Sequence, residues 1–239
     1  MLEGGDGMAI IRLFHGSDHI VKKPDLFAAK PTNDYGKGFY CTPVSEMAKE
    51  WACKNNTDGF VNEYVFDDEG LDTLDLLDGK HTVLNWIALL LKHRVFSIND
   101  AIALDAKDYI VKNFSADMTG YDVIKGYRAD DSYFSYAQSF VHNALPLRCL
   151  SEALRLGKLG EQTALVSEKA FGRIEFISAE LVSKEIYYPR FIVRDTNART
   201  AYNEEIKKSR FYRDDIFIMD IIRGEIKNDD PRIQRIIPE

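Results

Sequence analysis

The chain has 239 residues, 45% hydrophobic and 12% aromatic, with 31 Lys and Arg against 38 Asp and Glu for a net charge of −7. Such a chain can bury a core of its own, which excludes a disulfide-stapled miniprotein and a disordered tail and gives one large domain or one domain with an appendage. The acidic balance argues against general affinity for nucleic acid or an anionic membrane, both of which call for a basic field.

Residues 1–8 are glycine-rich and acidic, without the basic start and apolar stretch of a signal peptide. Residues 9–14 read as a buried strand running into His15-Gly16-Ser17. Pro24, Pro31, Asn33-Asp34 and Gly36 make residues 22–37 a loop. Residues 38–42 then form a short strand. A helix follows over 43–53, with Pro43 in its first turn and Val44, Met47, Ala48 and Trp51 on one face. Residues 60–66 alternate apolar and polar side chains, as a half-buried strand does. Asp67-Asp68-Glu69, with Asp72, Asp75 and Asp78, lacks the ligand order of a calcium loop and reads as solvated.

The middle of the chain is helical. Residues 81–94 carry Val83, Leu84, Ile87, Leu90 and Leu91 at helical spacing. The apolar run inside them, 83–91, is far short of the ~20 residues that cross a bilayer. Residues 97–113 form a second helix, capped by Ser97 or Asn99. Residues 121–125 are strand-like, and two more helices cover 131–142 and 146–156, the first begun by an Asp131-Ser132 cap. Residues 162–167 and 173–187 restore β character around a helical turn at 168–171. Beyond 191 the chain is charged and mainly helical. Its Ile216, Phe217, Met219, Ile221 and Ile222 pack back on the main domain. Strands at both ends of a helical block give an α+β fold, not alternating βαβ units.

Most chemistry-bearing residue types form no pattern of their own. The histidines at 15, 19, 81, 93 and 142 show no metal-ligand spacing, so no metal is expected. The cysteines at 41, 53 and 149 form no CxxC pair and suit a reducing cytoplasm, which makes the expected location cytoplasmic. Cys149 sits on a helix face as a buried small residue, Ser17 lies outside a GxSxG elbow, and Gly36-Lys37-Gly38 matches no phosphate loop.

One combination is more specific than its parts. A strand carrying Phe14-His15-Gly16-Ser17 is followed by Asp34-Tyr35-Gly36-Lys37-Gly38-Phe39-Tyr40-Cys41-Thr42 and then by the Ala48- and Trp51-bearing helix. This resembles the first two motifs of the ADP-ribosyltransferase superfamily, on its poly(ADP-ribose) polymerase and diphtheria-toxin side. It is closest to an uncharacterised bacterial subfamily, over roughly residues 9–190. The resemblance implies a split two-sheet core over 1–190, a helical insertion at about 81–156, and a C-terminal helical extension over 191–239. It also implies NAD as co-substrate. His15 would bond the adenosine ribose, Gly16 would read the carboxamide beside Ser17, and Tyr40, next to Gly38, would stack on nicotinamide. A cationic aromatic ring gains about 0.5–2 kcal/mol from such a face. Trp51 or Tyr35 would supply a second aromatic wall. Apart from the resemblance, Arg128 would lie near the cleft if the strand before it joins the same sheet, and would there hold a pyrophosphate or an acceptor by bidentate bonds.

The third motif departs from the family pattern, which places a glutamate at the start of a late strand. Here Glu161 and Gln162 both stand at that point, and alternation lets only one of them face the cleft. An alignment by eye favours Gln162, which would bond the reactive ribose without the charge that steadies a cationic transition state. The expected function is ADP-ribose transfer from NAD to a protein or nucleic-acid acceptor, with nicotinamide released. The bacterial relatives imply a toxin or effector role, opposed by a small antitoxin-like protein. NAD hydrolysis and a non-catalytic NAD- or ADP-ribose-binding module are the alternatives.

Overall fold

Two small antiparallel-rich sheets meet edge to edge in the computed structural model of the protein, which describes residues 10–129, 131–156, 160–208 and 212–234. The first sheet has the order β1-β3-β7, formed by β1 (Ile10–Ser17), β3 (Gly59–Asp67) and β7 (Ile174–Val182). The second has the order β2-β6-β5-β4, formed by β2 (Phe39–Cys41), β6 (Glu161–Leu165), β5 (Val123–Tyr127) and β4 (Thr73–Asp75). Neighbours are antiparallel except β4 and β5. The sheets join through reciprocal backbone bonds between Phe14 and Thr42, at 2.8 and 2.9 Å. The α+β expectation agrees with this arrangement of two sheets and separate helices.

Several boundaries differ from those expected, each for a local reason. β1 carries His15, Gly16 and Ser17 as expected, paired with Asn62, Val61 and Phe60 of β3, but it is not a buried strand: Leu13 alone of its eight residues is buried. β4 arises inside the acidic stretch read as a loop, because Leu74, the one buried residue of its three, pairs with Ile124. Its parallel pairing with β5 is reached through α2 (Val83–His93) and α3 (Ala101–Phe114), the long crossover that a parallel pair requires. β7 stops at Val182, short of the expected residue 187. There the Ser183 hydroxyl accepts the Glu185 amide, and Asp58 accepts that of Lys184, starting α7 (Lys184–Lys208). α7 runs through residue 190, where a boundary was expected.

α1 (Ser45–Cys53) lies against β1 and β3, and α4 (Asp131–Val141), α5 (Leu147–Leu156) and α2 build the larger core. α2 is apolar on every side because it is packed on every side: each residue from Val83 to Leu91 is buried. Its start is closed by Thr82 and Asn85, whose side-chain oxygen accepts the Thr82 amide at 2.7 Å. Ile218 and Ile221 of α8 (Ile218–Arg223) bury in the same core, with Ile216 and Ile222 packed against it. A smaller core links both sheets through Leu13, Phe39, Tyr64, Phe66 and Leu165. α6 (Glu168–Phe171) and α9 (Pro231–Gln234) complete the helices of the described residues. None of the helices in those residues is long and apolar enough to cross a membrane. The side chains of the expected Asp131-Ser132 cap lie outside the described residues.

Asp100, not Ser97 or Asn99, caps α3: its carboxylate accepts the Ala103 amide at 2.8 Å. The same residue meets His142 at the end of α4, with Nδ1 2.6 Å from Asp100 Oδ2 and Nε2 3.0 Å from the Ser97 carbonyl. Both ring nitrogens thus face acceptors, a setting that suits imidazolium. The Ser97 carbonyl first, and Asp100 after it, raise the His142 pKa above its ordinary value. A group raised on folding stabilises fully below its unfolded pKa of about 6.5 and stops doing so as pH climbs through the folded value. Urea denaturation should therefore show a stability loss from pH 6 to 8 that is smaller in His142→Ala. Equal losses in both proteins would remove this latch from the account.

Candidate ligand-binding cavity

A cavity of about 330 Å³ opens beside the seam between the sheets. Its wall brings together His15 from β1, Tyr40 from β2, Trp51 from α1, Arg128 after β5, and Gln162 from β6. The volume stands at the small end of the usual range for ligand sites. Phe191 of α7 also lines it, so the segment after residue 190 takes part in the site.

His15 is oriented by its own neighbours. Nδ1 lies 2.7 Å from the Tyr40 carbonyl, which only accepts, so Nδ1 carries the proton and Nε2 keeps a lone pair. The ring packs on Phe39 with centroids 4.5 Å apart. Burial lowers its pKa, against the opposing pull of the Tyr40 carbonyl, and keeps the neutral form at pH 7. Behind it, fully buried Asn62 donates to the Ser17 hydroxyl at 2.9 Å and to the His15 carbonyl at 3.2 Å, while accepting the Val21 amide at 2.8 Å. Asn62 thereby fixes the chain as it leaves β1.

Tyr40 is held at its hydroxyl, which donates to the Gly36 carbonyl at 2.8 Å and accepts the Tyr35 amide at 2.9 Å. Burial raises its pKa far above the ordinary phenol value, so it stays protonated. Tyr35 stands behind it with near-parallel rings, centroids 6.2 Å apart. Tyr35 is 2% exposed and does not reach the cavity: its hydroxyl donates to the Tyr127 carbonyl and accepts from Trp86. Of the two residues expected as a second aromatic wall, Trp51 lines the cavity and Tyr35 belongs to the core. The Arg128 guanidinium lies over the Trp51 ring, 4.6 Å from its centroid, and so already occupies one face of it.

The phase of β6 is visible in its hydrogen bonds. Gln162 is 3% exposed and lines the cavity, whereas Glu161 is exposed and lies off the lining. Gln162 Nε2 donates to Asp34 Oδ2 at 2.9 Å and to the Tyr127 carbonyl at 3.0 Å. Asp34, itself on the cavity wall and 5% exposed, also accepts the Ala129 amide at 2.9 Å and Arg94 at 2.8 Å. Sequence reading passed over Asp34, Arg94 and Asn62. Their partners lie 41–128 positions away along the chain, a distance no local pattern spans. The one local sign was a carboxylate set among aromatic and glycine residues in Asp34-Tyr35-Gly36.

Two expected site residues have structural roles of their own. Ser17 is off the cavity and commits its hydroxyl to the His19 carbonyl at 2.6 Å. Gly16 does line the cavity, but its lack of a side chain is demanded from the other direction. A Cβ there would overlap the Ala48 carbonyl oxygen and stand 2.7 Å from the Ala52 amide, both in α1. Gly38 is on the wall as well, packed against the Leu165 carbonyl of β6. Among the described residues no three His, Cys, Asp or Glu side chains gather as a metal-holding group.

Fold and cavity define a two-sheet α+β protein with a polar-aromatic cavity at the junction of its sheets. The chain belongs to the family described as "Protein of unknown function (DUF3990)", whose pattern matches residues 11–176, from β1 into β7 and across the cavity-forming strands. Comparison with curated proteins and with solved structures gives no match.

Gly16→Ala should act on stability before it acts on any ligand. Forcing a methyl against helix backbone is expected to cost about 3 kcal/mol or more, read as a lower urea midpoint with unchanged slope. An unchanged midpoint would mean that α1 is free to move away.

Proposed function

We propose that the protein is an NAD-dependent ADP-ribosyltransferase of the ADP-ribosyltransferase-like two-sheet fold. The observation that carries this reading is the convergence of His15, Tyr40 and Gln162, from three different strands, on one cavity. Those are the three positions that the motif resemblance assigns to the adenosine ribose, the nicotinamide ring and the reactive ribose. The cavity lining suits such a ligand: His15 Nε2 offers an acceptor to a ribose hydroxyl, and Tyr40 presents a pinned aromatic ring. Lys54, Arg94 and Arg128 against the single carboxylate Asp34 bias the described lining toward an anion such as pyrophosphate.

In the reaction the bond between nicotinamide and ribose breaks, with its electron pair leaving on nicotinamide. The acceptor's nucleophile bonds to the ribose carbon and gives up its proton. Gln162 would accept a hydrogen bond from a hydroxyl of the reacting ribose and steady the developing positive charge with a dipole. A dipole does less than a carboxylate at this task, and each 1.36 kcal/mol of lost stabilisation is tenfold in rate. The proposal therefore includes a slow enzyme. A macromolecular acceptor and an antitoxin-like partner belong to it on the strength of the resemblance alone.

The test is nicotinamide release from NAD, with and without cell extract. His15→Ala and Gln162→Ala should each lose about tenfold or more, from one hydrogen bond apiece, while Glu161→Gln should match wild type. Release that needs no extract and yields free ADP-ribose, with none attached to the protein itself, would identify water as the acceptor. Binding of NAD through His15 and Tyr40 with no release by wild type would make the protein a binding module. Neither release nor binding would overturn the reading.

A further inference from the structure

A glutamine can present a ligand with either its carbonyl or its amide side, and a simple flip usually interchanges them. At position 162 the flip is closed. Nε2 stands 2.9 Å from a carboxylate oxygen of Asp34 and 3.0 Å from the Tyr127 carbonyl, two groups that only accept. Turning the amide over would set its oxygen against both.

Neither acceptor is free to move. Asp34 is clamped by donors on each oxygen, Arg94 on one and the Ala129 amide on the other. The Tyr127 carbonyl also receives the Tyr35 hydroxyl at 2.7 Å and Trp86 Nε1 at 3.1 Å. With both of its N–H bonds spent inside the protein, Gln162 has only its carbonyl oxygen left for a ligand.

We propose that Asp34 is a positioning residue that locks Gln162 as a one-way hydrogen-bond acceptor for a ligand hydroxyl, and that the wall around position 162 is built for an uncharged side chain. The glutamine is then a working part of the site, not a glutamate that has lost its charge. The identity of the hydroxyl, that of a ribose, rests on the ADP-ribosyl transfer reading. The locking does not.

The charged and titratable groups around position 162 pull in both directions. Asp34 opposes a second negative charge, while Arg94, Arg128 and Lys54 on the cavity wall favour one. His15 is neutral, and Tyr35 and Tyr40 stay protonated. Contact decides the balance. Arg94 is already bonded to Asp34, whereas a carboxylate oxygen in place of Nε2 would touch two acceptors within about 3 Å, where two carboxyl groups share one proton.

Gln162→Glu is the test. In its neutral form the introduced carboxylic acid copies the amide, with its O–H toward Asp34 and its carbonyl toward the cavity. Nicotinamide release by this variant should fall at least tenfold from its own low-pH rate as pH rises and the carboxyl ionises, a fall that wild type does not show. A ¹³C NMR titration of the glutamate-labelled variant, without NAD, should place this carboxyl at about pH 6 or above, against an ordinary value of about 4.3. Asp34→Asn in the same background should bring it down. If that double variant does not fold, the single variant's titration decides alone. An ordinary carboxyl titration, or release that climbs as the carboxylate forms, would overturn the proposal. Absence of release from every protein would count against the transferase reading, while the NMR titration would still decide the locking.

Discussion

The cavity exists because two sheets are joined at one pair of backbone hydrogen bonds, between Phe14 and Thr42. Apart from that bridge β1 pairs with β3 and β2 with β6, and the cavity opens beside the junction. The register then fills the cavity's rim. His15 follows Phe14 directly, Tyr40 sits opposite Ala164, and Gln162 lies two residues before Ala164 on the same face of β6. Three side chains far apart in sequence therefore meet because three strands keep register, without any loop having to place them.

The polar groups packed at this seam carry a cost that apolar residues would avoid. A largely buried ion pair such as Asp34–Arg94, with Arg94 partly open to solvent, is often no better for stability than well-packed hydrophobic residues of the same volume. Here it is embedded with Gln162, Tyr35, Trp86 and the Tyr127 carbonyl in a network whose members bond to one another. A satisfied network of this kind fixes one arrangement of side chains. Such rigidity is what a site needs when it must present a single acceptor oxygen at a defined place.

Much of the fold was legible because it is written locally. The segment around 83–91 showed a helix in the spacing of Val83, Leu84, Ile87, Leu90 and Leu91, and its apolar run was too short for a membrane. The alternation over 60–66 and the spacing of Ala48 and Trp51 gave β3 and α1 to within two residues. What escaped was decided by distant partners. β4 is three residues long with one buried side chain, and exists only because β5 runs beside it. The start of α7 depends on Asp58 reaching across from the approach to β3. Strand alternation alone left Glu161 and Gln162 open. Asp34 and the Tyr127 carbonyl, supplied by a loop and by β5, separate them.

The same contrast bears on which residues speak for function. The His15-Gly16 pair attracts attention as a motif, yet Gly16 is required by the close approach of α1, and His15 is tied to the Tyr40 carbonyl at the seam. A relative that bound nothing would still need the glycine to fold. Asp34 and Gln162 stand differently. Nothing in packing alone calls for a buried carboxylate facing a carboxamide in a cavity wall, where a pair of leucines would cost less. The case for a ligand site therefore rests more on Asp34 and Gln162, whose bond no packing need explains, than on His15 and Gly16, which the fold itself employs.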